Sequence, residues 1–217
     1  MARGADKAEL GRILAGAMAA RARGDAREAS ALLARARKAQ PEHPDVLHVG
    51  AILAHEAGRG AEARRLVDRA LALRPGDARL LKSRGLICAA SGHAAEAIAA
   101  FRSVLARQPA DAALARNLAA LLRQSGDAPG AIATLRALPP EAQDFESRFE
   151  LADLLRESGD AASAVPLLER ASIDRPGDVA ALSNLATCLA LAGRDDEAAA
   201  AIARALALPV APADGAR

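Results

Sequence analysis

GDAREASALLARA, residues 24–36, is the stretch that decides the fold, because it returns five more times along the chain. The copies read GRGAEARRLVDRA (58–70), GHAAEAIAAFRSV (92–104), GDAPGAIATLRAL (126–138), GDAASAVPLLERA (159–171) and GRDDEAAAAIARA (193–205). Their glycines, Gly24, Gly58, Gly92, Gly126, Gly159 and Gly193, stand 34, 34, 34, 33 and 34 residues apart. A period of that length marks a repeat architecture. Glycine at the head of each copy suits the left-handed residue that ends a helix, where a Cβ would be strained. Asp25, Asp127 and Asp160 follow three of these glycines, where a carboxylate accepts from the free N–H groups of the next helix and complements its dipole.

Alanine stands five residues past every glycine: Ala29, Ala63, Ala97, Ala131, Ala164 and Ala198. Four residues further, on the same helical face, comes a larger apolar residue: Leu33, Val67, Phe101, Leu135, Leu168 or Ile202. Seven residues before each glycine stands another small one, Ala17, Ala51, Gly85, Ala119, Ala152 or Ala186, in segments such as LHVGAILAHEAG (47–58) and LARNLAALLRQSG (114–126). Small residues on both sides let two helices approach closely, with the larger residue filling the space between them. Pro41, Pro75, Pro109 and Pro176 stand seventeen residues after their glycines, where they stop the second helix and space it from the next repeat.

This text resembles the tetratricopeptide repeat family, whose consensus runs close to GDYEEALEAYEKALELDPNN over its second half, and the resemblance extends from about Leu10 to Leu208. It implies an all-α fold, a right-handed α-solenoid superhelix of six antiparallel helix-turn-helix repeats at about 10–43, 44–77, 78–111, 112–144, 145–178 and 179–210. On that reading residues 1–210 are a single solenoid and 211–217 a disordered tail. Two departures stand out. The family's aromatic residues in the first helix are replaced by Leu, Ile, Cys and Ala, so packing must be tighter or less stable. The fourth repeat is one residue short and reads ALPPEAQDFES, so Pro139 and Pro140 should end its second helix early and leave an irregularity.

Composition agrees with an all-helical chain. Of 217 residues 52% are hydrophobic and 26% charged, with no Trp or Tyr and three Phe, so the interior is expected to be Ala and Leu. The net charge of +2 hides an asymmetry: residues 1–111 carry 19 basic and 12 acidic side chains, residues 112–217 carry 10 and 15. No apolar run reaches eighteen residues and no leader pattern opens the chain, which predicts a cytoplasmic protein without membrane insertion. Cys88 and Cys188 fall in apolar helical pattern and read as buried free thiols.

In the family the first helix of each pair lines the concave face, and the resemblance therefore implies a peptide-binding groove whose candidate residues are His48, His55, Arg79, Lys82, Arg116, Asn117, Arg123, Glu150 and Asn184. The partner is expected to be a protein or peptide segment. His48 and His55 share a face, but two histidines without a third ligand read as surface residues, so no metal is expected. Arg79, Lys82, Arg116 and Arg123 can clamp a carboxylate or an acidic segment, or form a merely solvated face. Asn117 and Asn184 are the only asparagines, both in an NLA context at one repeat position, and an amide side chain can both donate to and accept from a peptide backbone. The carboxylate clamp of the family's heat-shock-protein adaptors is disfavoured. Leu86 stands where it needs a second Asn, and Glu146 and Glu150 where it needs Lys and Arg.

Neither a phosphate-cradling glycine loop nor a nucleophile with its base is present, so no catalytic residue and no cofactor are expected. Near-neutral charge without stacking aromatics argues against nucleic acid. A non-catalytic interaction scaffold is the expected function. The alternative comes from PEHPDVLHVGAILAHEAGRGAEARRLVDRALALRPGDA (41–78), which looks like the N-terminal repeats of bacterial proteins that carry a glycosyltransferase or sulfotransferase domain; this chain would then be the docking region of such an enzyme. A solenoid normally ends in a polar covering helix, and here only LPVAPADGAR follows the last repeat. Three explanations stand open: a longer parent chain, a homodimer through the uncapped end, or a last helix polar enough by itself. The charged face of RDDEAAAAIARA favours the third.

Overall fold

The computed structural model describes residues 2–208, with side-chain surroundings from residue 8 onward; the expected tail at 211–217 lies outside the described residues. Among those residues are twelve α-helices and no strand. They pack as successive hairpins: α1 (Ala2–Ala22) with α2 (Ala26–Ala39), α3 (Pro44–Glu56) with α4 (Gly60–Leu73), and α5 (Ala78–Ala90) with α6 (Ala94–Leu105). Then come α7 (Ala112–Gln124) with α8 (Ala128–Arg136), α9 (Phe145–Glu157) with α10 (Ala161–Asp174), and α11 (Val179–Leu191) with α12 (Asp195–Leu206). The class is the expected one, an all-α solenoid of helix pairs. Two compact units divide it, Met1–Arg107 and Gln108–Arg217, each holding three pairs.

The hairpin turns repeat one geometry. All six period glycines have φ between +73° and +86°. The residue after each donates its N–H to the carbonyl five residues back, from Asp25 to Ala20 through Arg194 to Leu189, at 2.8–2.9 Å in every turn. That bond satisfies a carbonyl the helix end would otherwise leave open. Asp25, Asp127 and Asp160 cap α2, α8 and α10 as expected, accepting from the N–H groups of Glu28, Gly130 and Ser163. A second series, Asp77, Asp111, Asp144 and Asp178, caps α5, α7, α9 and α11. Each such cap is worth about 1 kcal/mol.

Close approach of paired helices explains the small residues. Ala29, Ala63, Ala97, Ala131 and Ala164 are fully buried, as are Ala17, Ala51, Ala119 and Ala152 across from them. The expectation of a purely Ala and Leu interior needs correction, because Val46, Val67, Val104, Val165 and Phe101 are all fully enclosed. Phe101 fits because its repeat carries glycine, not alanine, at position 85: a Cβ there would lie 2.2 Å from Phe101 Cε1. Volume removed from one helix is thus returned by the other.

Two irregularities matter. The second helix of the fourth repeat, α8, has 9 residues where its counterparts have 12 to 14. The Pro139–Pro140 pair ends it as the sequence predicts, and a 3₁₀ turn follows at Pro140–Ala142. The last pair differs in what it leaves open. Leu33 and Val67 are closed by the first helix of the following pair, through Val46 and Val49 and through Leu80 and Ile87. Ile202, at the same repeat position, is 50% exposed, with Leu191 at 65% and Leu206 at 81%. A groove of about 620 Å³ between α11 and α12 is lined by Val179, Thr187, Ala198, Ile202 and Leu206. The charged residues Asp196, Glu197 and Arg204 occupy other faces of α12, and Val179, Leu191, Ile202 and Leu206 along the groove are left exposed.

Within each unit the first helices pack on one another, α1 on α3 and α3 on α5, then α7 on α9 and α9 on α11. Among the described residues no comparable packing joins α2 to α4 or α8 to α10. The first-helix layer is therefore the tighter, concave side of each unit. Replacing Gly85 by Ala should lower stability by about 1–3 kcal/mol through overpacking, and adding Phe101→Leu should return part of it. Urea unfolding checks both; an unchanged midpoint for G85A would refute the close approach.

Candidate functional site

In the first unit the candidate residues sit on α3 and α5, which lie side by side. Near the start of these helices, Asp45, His48 and Arg79 share a recess of about 320 Å³ with Leu14, Met18 and Ile52. Asp45 was not singled out by the sequence, yet it joins the helices: it accepts from Arg74 at 2.9 Å and from Arg79 at 3.3 Å. Arg79 also reaches Asp77 at 3.3 Å, and so is not a free clamp. Lys82, one turn on, is partly buried and engaged within the protein. His55 lines a second recess of about 520 Å³ with Arg21, Ile52, Glu56, Ser83 and Leu86. His48 and His55 therefore belong to separate recesses, and among the described residues no three His, Cys, Asp or Glu side chains gather as a metal site.

The Nε2 of His48 lies 2.7 Å from Ser83 Oγ across the helix pair. Burial, and next the Arg79 charge, hold the imidazole below its ordinary value. A neutral ring accepting from or donating to the serine needs no counter-charge. Because this value is lowered on folding, its contribution to stability is whole above about pH 6.5 and is lost as pH falls through the folded value. The His48 ring should titrate below about pH 6.5 by NMR, and His48→Gln should lessen the acid sensitivity of unfolding below that pH. A ring titrating at or above the ordinary value would contradict the enclosure.

In the second unit the concave layer is α7, α9 and α11. Here the arginines are committed to carboxylates, either of a neighbouring element or of their own helix. Arg123 binds Glu157 at 2.9 Å and reaches Asp153 at 3.5 Å. Arg116 lies 3.9 Å from Glu146 and 4.0 Å from Asp144. Arg156 holds Asp153 at 2.5 Å, and Arg175 binds Glu146, which keeps that carboxyl below its usual range. The Arg175 guanidinium also lies 4.0 Å over the Phe145 ring, itself stacked on Phe149 at 5.8 Å, a cation–aromatic cluster that sequence reasoning missed.

Asn117, Glu150 and Asn184 stand apart from this network. Each is the sixth residue of its helix, on α7, α9 and α11 in turn. Asn117 is exposed; Glu150 and Asn184 are half-buried. Among the described residues none of the three side chains makes a hydrogen bond or ion pair within the protein. Burial pushes the Glu150 carboxyl up, against the pull of Arg116 and Arg123.

Some of the pairing was readable in advance. Arg21 and Arg123 each stand three residues before a period glycine, and Glu56 and Glu157 two residues before the next one. Both pairs form, Arg21 with Glu56 at 2.6 Å. Cys88 and Cys188 are free and buried, with thiols pushed up by that burial. No helix among the described residues is long and apolar enough to cross a membrane.

Family models described as tetratricopeptide repeat match residues 20–87, 89–154 and 149–215. No curated protein matches the sequence. Among solved structures, pilF of Pseudomonas aeruginosa is similar at 17% identity, over 91% of this chain and 90% of that one, with a TM-score of 0.76. A MamA protein shares 18% identity over 80% of this chain and 100% of its own, with a TM-score of 0.68. YrrB, described as a TPR protein with an unusual peptide-binding site, shares 20% over 80% and 90%, with a TM-score of 0.67. At these identities the likeness is one of fold.

Proposed function

We propose that this chain, which belongs to the tetratricopeptide repeat family, is a non-catalytic interaction scaffold that holds a segment of another protein on its first-helix layer. One observation carries the reading. On the concave layer of the second unit, where the arginines are engaged with carboxylates, Asn117 and Asn184 present amides with no partner inside the protein. An amide donates and accepts at once, which matches the alternating groups of a peptide backbone and asks little of its side chains. The peptide-binding site in the description of YrrB, a neighbour in fold, is consistent with such use. In the first unit, His48, His55 and Arg79 border the two recesses of that layer, and with Lys82, partly buried on the same helix as Arg79, they extend the candidate surface.

Replacing Asn117 and Asn184 together by Ala should weaken the complex with the partner recovered by pull-down about 10- to 100-fold, the scale of two lost hydrogen bonds. Circular dichroism should be unchanged, because neither side chain supports the fold. Undiminished affinity in titration calorimetry would remove the concave layer from the reading.

The open groove of the last pair favours a second contact, a symmetric homodimer through α11 and α12. Four of the seven large apolar residues exposed among the described ones, Val179, Leu191, Ile202 and Leu206, border this groove. A second copy offers the same side chains, so a two-fold contact lets each groove be filled by its twin. Light scattering over a concentration series should give the mass of two chains. Ile202→Lys with Leu206→Lys should return the mass of one; a monomeric native protein at every concentration would exclude the dimer.

A further inference from the structure

The partner's chemistry can be narrowed from the residue between the two asparagines. Asn117, Glu150 and Asn184 occupy the same position on three successive first helices, α7, α9 and α11. The three side chains form one row, with a carboxylate at its centre. The two cations that pull on that carboxylate have other partners: Arg123 is held by Glu157 and Asp153, and Arg116 faces Glu146 and Asp144. Glu150 alone in this group has no ion pair, although it is half-buried. Removing a charge from water without pairing it is costly, and a fold gains nothing from it unless something outside the chain completes the pair.

Resting on the peptide-binding reading above, we infer that Glu150 selects a lysine or arginine side chain in the middle of an extended segment whose main chain is held by Asn117 and Asn184. Packed helices lie about 8–10 Å apart, and an extended strand advances about 3.3 Å per residue. Each asparagine therefore meets the backbone about three residues to either side of the cation. An acidic side chain at the same place would face Glu150 and Asp153 together, which like-charge repulsion disfavours.

The test uses the intact chain and a random library of peptides about twelve residues long, enough at about 3.3 Å per residue to cross all three helices. The native protein should select peptides enriched in Lys or Arg near their centre. Glu150→Gln, of the same size, should still bind peptides but lose the preference, with affinity for the selected basic peptides falling about tenfold or more. A fold readout runs in the opposite direction. Burial raises the Glu150 carboxyl, so the stability this group lends is present below about pH 4.5 and lost as pH rises through the folded value. Glu150→Gln should accordingly melt higher than the native chain at pH 7, and the gain should vanish below about pH 4.5. Selected peptides without a central cation, or an unchanged preference in Glu150→Gln, would overturn the role of Glu150 while leaving the groove intact. A library yielding no binder at all would overturn the groove reading and this inference with it.

Discussion

A left-handed residue at each of six turns is the constraint on which the rest of the structure depends. The chain reverses through one glycine, and the residue after it closes a hydrogen bond onto the carbonyl five back. Any Cβ at that glycine would strain the backbone, so the turn has one solution and every pair inherits it. Once the turn is common, the residue seven before it and those five and nine after it face each other across the pair. Alanine or glycine must then line the approach, and the one phenylalanine in the closed core is tolerated only where the opposing residue has no Cβ.

Packing of neighbouring pairs sets a second condition. First helices lie close enough for their polar side chains to meet, and ion pairs cross between them: Arg21 with Glu56, Arg79 with Asp45, Arg123 with Glu157. Such pairs at a surface contribute little stability singly, about 0–1 kcal/mol. Their consequence is one of allocation. They occupy most of the charges on the concave layer, so that a ligand meets chiefly the groups left over, and in the second unit those are two amides and one carboxylate. Arginines that look like an anion clamp in the sequence are mostly engaged in holding neighbouring helices together.

Much of the fold was legible in the sequence because its determinants are local. Glycine at the turn, aspartate beside it, proline after the second helix and the Pro139–Pro140 stop each act within about five residues of themselves. The second series of capping aspartates, at 77, 111, 144 and 178, was legible on the same grounds, since it keeps the same period. The candidate surface was read less well. Its positions on the first helices follow from the period, but the role of Asp45, the stack of Arg175 on Phe145 and the open side of α12 do not. Each depends on what packs nearby: Asp45 meets side chains 29 and 34 residues away, and Ile202 is half exposed where Val67, at the same repeat position, is fully buried among residues of α5.

By itself, then, the sequence determined the all-helical class, the period, the reversal at each glycine and the short fourth pair, since these arise from backbone preferences and side chains a turn or so apart. Only the tertiary structure decided which polar groups are free to act. The shared NLA context marks Asn117 and Asn184 in the sequence, but nothing there separates Glu150 from Arg116 or Arg123 as the charged group left without a partner. What separates them is whether a neighbouring helix brings an opposite charge within reach, and that is a property of the packed layer.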